Sequence, residues 1–311
     1  MSESILKHDW SSSTVIDEDE LLDYVFPTHQ DSDAKIEVRN YCIEIGGDTI
    51  DTEAFIQFLK KKFLYFVFPE DELEEHGIMA YNEALQRVGY DEDYDSDGLY
   101  GELLLFVFID AVLDMPMITH KLLMKSNPND EEKGSDGVFF GEYDGEVSLA
   151  LGEAKFYTDK KGGIRSSLES TSRFHGAGGD ERRRHSLSVA SRGLFGGTNL
   201  DGELDQAEIA ELAEQLTTPS RDYRLIHPIF IGYENTDLVD VQTESVDEDQ
   251  LRDRIVEVVK EDDVLDYIDG RISEEHANLK KHYIVLIFLP VEDTSEFKKR
   301  VKNAIYPHNQ D

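Results

Sequence analysis

Residues 137–157 read GVFFGEYDGEVSLALGEAKFY, directly after Ser135-Asp136. Two apolar runs flank Tyr143-Asp144-Gly145-Glu146, and Asp-Gly in that setting signals a two-residue hairpin turn. Along the second strand, alternation puts Val147, Leu149, Leu151, Glu153, Lys155 and Tyr157 on one face. Glu153 and Lys155 are then charges at the end of an apolar surface. Such a placement is costly unless the charges are paired or bound to a metal. Asp136 precedes the first strand, and the turn brings it alongside the far end of its partner. Asp136, Glu153 and Lys155 can therefore converge across two adjacent strands.

The neighbouring elements give this hairpin a fold. ELLLFVFIDAVLDM (102–115) is apolar on nearly every side, which predicts a helix buried in a core. MITHKLLMK (117–125), YRLIHPIFIGY (223–233) and HYIVLIFLP (282–290) predict strands. Helices are expected over 163–174, 203–216, 247–261 and 293–305. From residue 97 onward the order is helix, strand, hairpin, helical segment, strand, helix, strand, helix. That order predicts an α/β fold, a mixed central sheet flanked by helices. Upstream, IEVRNYCIEI (36–45) alternates like a strand. A helix starting at a Thr52 cap is expected over 52–68, and another over 70–89. The acidic connector YDEDYDSDGLYG (90–101) marks a boundary. It separates an acidic N-terminal α/β or mostly helical extension, residues 1–94, from a domain over 95–311. The extension is expected to pack on that domain or on a partner.

The chain has 311 residues, 39% of them hydrophobic, enough for a substantial core. Its one cysteine, Cys42, allows no internal disulfide and no cysteine metal cage. The N-terminus lacks a signal-peptide pattern, and the longest apolar run (103–113) is broken by Asp110 and too short to span a bilayer. A soluble, cytoplasmic protein is expected. The formal net charge is −36, yet 10% aromatic content and clear periodicity argue against disorder. An acid coat of this kind suits a protein kept hydrated at high salt, so a halophilic source is expected. Residues 160–200 are the exception, with eight basic and three acidic side chains. A flexible basic loop is expected at about 160–203.

Two carboxylates can hold a hard divalent cation such as Mg²⁺ or Mn²⁺. Such an ion lowers the pKa of bound water and stabilises charge on phosphate oxygens. A nearby lysine can orient the water or neutralise developing charge. Together they suit phosphodiester hydrolysis. A lone Glu-x-Lys is more often an ordinary ion pair at a strand end. Asp136, the hairpin and the buried helix before it are what set this one apart.

Asp136 followed by Glu153-Ala154-Lys155, on a hairpin preceded by a helix bearing Glu102, resembles the PD-(D/E)xK nuclease superfamily. Ser135-Asp136 stands where that family often has Pro-Asp. More closely, GELLLF, SDGVFF, LGEAKFYTD and HPIFIGYE look like the HamA family, the nuclease subunits of Hachiman antiphage defence. The likeness is close over roughly residues 95–235 and looser elsewhere. It implies a restriction-endonuclease-like fold, metal-dependent DNA cleavage and a superfamily-2 helicase partner, HamB. It further implies Asp136 and Glu153 as metal ligands, the Ala154 carbonyl as a third, and Lys155 as the catalytic lysine. Glu102 becomes an auxiliary ligand or water-positioning group, or else a buried helix-start carboxylate. No small-molecule cofactor and no membrane partner are implied. Lys160, Lys161, Arg165, Arg173, Arg182, Arg183 and Arg184 fit the backbone of DNA, or a solvated basic loop. Lys121 and Lys125 could touch phosphate, or lie as solvated surface lysines.

Other signals are weaker. GTNLDGELDQAE (197–208) and DEDYDSDGLYGE (91–102) resemble calcium loops, but the first lacks the opening carboxylate and the second the central glycine. The ten histidines show no ligand spacing, and His227 reads as structural. There is no phosphate-binding GxxxxGK[ST] and no G-x-S-x-G elbow. Two other functions remain open: an inert nuclease-fold scaffold or inhibitor of the helicase, and a stand-alone repair or restriction nuclease. An intact Asp136/Glu153/Lys155 set weighs against the first.

Overall fold

Asp144 and Gly145 both take positive φ, 51° and 71°, so the hairpin closes through the tight turn that its Asp-Gly pair favours. The computed structural model describes residues 1–88, 98–120, 134–175, 179–194, 200, 204–217, 223–260 and 263–306. Seven strands form one sheet: β1 (Val25–Asp33), β2 (Ile36–Ile43), β3 (Met117–His120), β4 (Gly137–Tyr143), β5 (Glu146–Tyr157), β6 (Arg224–Glu234) and β7 (Tyr283–Val291). Their order is β1-β2-β7-β6-β5-β4-β3. The central four, β2, β7, β6 and β5, run parallel. The outer pairs are antiparallel. The fold is α/β with a mixed sheet flanked by helices.

The longer helices are α1 (Thr52–Val67), α2 (Leu99–Leu113), α3 (Lys160–Ser172), α4 (Gly179–Gly193), α5 (Gln206–Thr217), α6 (Glu248–Val259), α7 (Val264–Glu275) and α8 (Thr294–Ile305). On one face of the sheet, α1, α2 and α8 share a core with Phe139, Ala150 and Phe230. All fifteen residues of α2 are buried, as its all-round apolar sequence requires. On the other face, α3 and α7 pack on β6 and β7, while α4 and α5 cover β4 and β5. Cys42 is buried under α6 near the β1 edge, and burial raises its thiol pKa far above the ordinary value.

Asp110 breaks the apolar run of α2 for a reason. Its Oδ1 accepts the backbone N–H groups of Val15 and Ile16, each at 2.9 Å. The N-terminal segment is thereby tied to the buried helix, and Ile5, Trp10, Ile16 and Leu21 are buried along it. The N-terminal third also supplies β1, β2 and α1. Since β2 pairs with β7 over Ile36–Asn40, the sheet runs across the residue-94 line.

Several local expectations are corrected. Asp51, not Thr52, caps α1, accepting the Ala54 amide at 3.0 Å. The helix expected over 70–89 is two, Glu70–His76 and Ala80–Arg87, with Gly77 at φ 51° between them. The stretch expected as a flexible basic loop contains α3, where a helix is expected over 163–174, and also α4, which is not expected. α4 has the polarity of a loop but buries Leu187 and Ala190 against the core shared with α5. Residues 90–97 of the connector and 121–125 after β3, with Lys121 and Lys125, lie outside the described residues. Among the described residues no helix is long and apolar enough to cross a membrane.

Candidate active site at the end of the hairpin

The ladder of β4 and β5 runs from Tyr143↔Glu146 to Gly137↔Gly152, and one further step sets Asp136 opposite Glu153. Asp136 is held there twice. Its amide donates to the Gly152 carbonyl, and its Oδ2 accepts the Ala154 amide, both at 2.9 Å. Gly152 has no side chain because none fits: a Cβ there would lie 2.7 Å from Leu105 of α2. The buried helix therefore presses on the strand one residue before the motif. On the adjacent side, β6 runs parallel with Glu153↔Ile229 and Lys155↔Ile231. A paired strand on each side fixes the motif backbone.

Leu149 and Leu151 are buried on the α4–α5 face, and Glu153 continues that face with 7% exposure. Lys155 Nζ lies 2.5 Å from Glu153 Oε1. Burial, then the neighbouring Asp136 charge, pushes the Glu153 carboxyl up to about 7, although Lys155 and the Ser170 hydroxyl pull it down. Burial works against the Lys155 ammonium, but Glu153 and Asp136 more than offset this and raise its pKa. The lysine is thus held charged, beside two carboxylates that repel each other. Excess negative charge confined in this way fits a hard divalent cation with oxygen ligands. Asp136, Glu153 and the Ala154 backbone are the groups that could hold it.

Glu102 sits in the first turn of α2 with 4% exposure. Its Oε2 is 3.6 Å from Nδ1 of His120. Burial pushes His120 down to about 3, so that imidazole is neutral. Gly101 beside it approaches Ala154 so closely that a Cβ would lie 3.1 Å from the alanine's. Glu102 thus lies buried at the helix start, beside a histidine and next to the motif backbone on the α2 side, a position that fits an auxiliary ligand as well as a helix-start carboxylate.

The described basic residues do not form one exposed patch. Lys160, expected at phosphate, is buried with 5% exposure. Its ammonium reaches the Val259 carbonyl at 3.5 Å and lies over the rings of Tyr233 and Phe288, at 5.2 and 4.9 Å. Lys161 is 3.5 Å from Asp263, and Arg173 is 2.5 Å from Glu169. Arg165 is exposed and reaches the Tyr267 hydroxyl at 3.4 Å. Arg183 is half-buried, close enough to His227 to act on its pKa, and Arg184 is exposed. The Arg182 side chain lies outside the described residues. Of the calcium-like loops, residues 91–97, 197–199 and 201–203 also lie outside them. Glu208 and Asp205 are described, and each accepts the other's amide in a capping box at the start of α5.

Two residues near the site carried no sequence signal. Ser170 comes to Glu153 from α3, one more serine in a serine-rich helix. His120 reaches Glu102 from the end of β3.

Mixed sheet, buried helix and the acid–acid–lysine strand end together define a restriction-endonuclease-like α/β protein. A sequence model of the HamA family matches residues 15–305. The chain belongs to the HamA family, which is associated with Hachiman defence. No curated protein matches it.

Proposed function

We propose that this chain is the metal-dependent DNA endonuclease of a Hachiman-type antiphage complex, working with a HamB-like superfamily-2 helicase. The reading rests on one observation: Asp136, Glu153 and Lys155 meet at one strand end of the sheet, the acids backbone-fixed and the lysine held charged. A Mg²⁺ or Mn²⁺ ion bound by Asp136, Glu153 and the Ala154 carbonyl would lower the pKa of attacking water and stabilise phosphate charge. In the hydrolysis, water oxygen bonds to phosphorus, the P–O ester bond breaks, and the leaving oxygen takes up a proton. Lys155, beside both carboxylates, would orient the water or neutralise charge developing on the phosphate. Arg165 and Arg184 are exposed and suited to the DNA backbone.

The test incubates plasmid DNA with the chain, its helicase partner and Mg²⁺, beside Lys155→Ala. Nicking or degradation by the wild type alone is expected. Equal cleavage by both would remove the site assignment. No cleavage by either, under any activating DNA, would favour the inert-scaffold reading.

A further inference from the structure

His175, His227 and His282 are far apart in sequence and meet in space. Each offers a ring nitrogen, and these nitrogens lie within 4.8 Å of one another. His227 sits in β6 with 1% exposure. His175 ends the turn after α3, where its amide donates to the Ser172 carbonyl at 3.0 Å. His282 directly precedes β7, its amide donating to the Leu279 carbonyl at 2.9 Å. The His227 backbone is thus fixed by the sheet, and those of His175 and His282 by turn hydrogen bonds. The His175 and His227 Nε2 atoms are 2.7 Å apart. The His175 and His282 rings stack at 3.8 Å.

We propose that His175, His227 and His282 form a Zn²⁺ site that clamps the α3 turn to β6 and β7, separate from the carboxylate site.

Two observations favour an ion over a bare hydrogen-bonded stack. First, the donors are all imidazole, the set that suits Zn²⁺ and leaves Mg²⁺ unfavoured. Second, His282 lines an open groove of about 790 Å³ with Lys35, Tyr223, Arg224, Lys281 and Tyr283, which gives an ion a way in. Tetrahedral ligation at 2.0–2.1 Å separates two nitrogens by about 3.3 Å. The 2.7 Å pair would need to open by only roughly 0.6 Å to accept it.

The location gives the site a consequence. Glu153 pairs with Ile229, two residues along β6 from His227. At about 3.3 Å per residue that is a step of about 6.6 Å on the same face of the sheet. The clamp would therefore fix the helix that brings Ser170 to Glu153, without touching the carboxylates.

The experiment uses the full chain stripped with chelator, then titrated with Zn²⁺, Co²⁺ and Mg²⁺. His175→Ala and His282→Ala are the variants, because both rings are only part-buried and their loss spares the core. Glu153→Gln is the control. The wild type and the control are expected to take up about one Zn²⁺ per chain. They should show the visible bands of tetrahedral Co²⁺ and gain thermal stability from Zn²⁺. Each histidine variant should lose roughly tenfold or more in Zn²⁺ affinity, together with those bands. The idea is overturned if the wild type takes up neither ion, or if folded histidine variants bind as the wild type does. Loss of uptake in Glu153→Gln alone would also overturn it, by moving the ion to the carboxylates.

Discussion

Asp136 accepts the Ala154 amide at 2.9 Å, so the first acid of the site is fastened to the backbone between Glu153 and Lys155. The bond uses one carboxylate oxygen and a neutral donor. An asparagine can keep it while losing the charge. Asp136→Asn should stay within about 1 kcal/mol of wild-type stability, whereas Asp136→Ala orphans the amide and should cost about 1–3 kcal/mol. Both should lower cleavage by at least roughly tenfold, the smaller end of the loss usual even for an outer-shell partner of a metal ligand. Thermal unfolding beside plasmid cleavage separates the two effects. Full activity in Asp136→Asn would show that its charge is not needed.

Lys160 lies over Tyr233 and Phe288 at 5.2 and 4.9 Å, away from solvent. A desolvated cation–π contact is worth about 2 kcal/mol. Lys160→Ala should therefore lower stability by about that much and leave DNA binding by the folded protein unchanged. Arg165→Ala should do the reverse, reducing the slope of log affinity against log salt by about one unit. Binding titrations at several salt concentrations distinguish them. A shallower slope in Lys160→Ala would return that lysine to the DNA surface.

What the sequence revealed, and what it hid, follows from the range of each signal. The hairpin, α2 and β6 were legible because burial and turn chemistry act over neighbouring residues. β1 was not: seven of its nine residues are exposed or half-exposed, since it is an edge strand. α4 was hidden because its polar face outnumbers the few residues it buries. The motif acids were legible because a two-residue turn fixes which residues face each other. The three histidines were not, because positions 175, 227 and 282 meet only through β6 and β7. Nor could charge alone tell that Lys160 points inward while Arg165 points out.

Asp110 gives a pH signature away from the candidate sites. Burial pushes its carboxyl up to about 8, although the Val15 and Ile16 amides and Lys62 pull it down. A folded-state pKa above the unfolded value means the folded form holds the proton more tightly. Its contribution is complete below the unfolded value near 4 and is lost as pH rises through about 8. The wild type should therefore lose stability relative to Asp110→Asn between pH 4 and 8. Denaturant melts of both proteins across that range provide the measurement. A constant difference would mean that Asp110 is ionised throughout, held by its two amides.

The acid coat makes the last prediction. The chain has 67 Asp and Glu against 31 Lys and Arg, so complete one-to-one pairing would still leave 36 carboxylates without a cationic side chain. Their mutual repulsion opposes the compact state. Salt shortens its reach, from about 10 Å at 0.1 M to about 3 Å at 1 M. The unfolding midpoint should accordingly rise with KCl over that interval, most steeply at the low end where the screening length changes fastest. KCl is the right probe, because sulfate would strengthen apolar burial in any protein. Buried contacts such as Asp110 with Val15 and Ile16 are little affected by screening, so the gain should come from the surface. A midpoint that is flat or falls between 0.1 and 1 M would show that this surface charge places no salt requirement on folding.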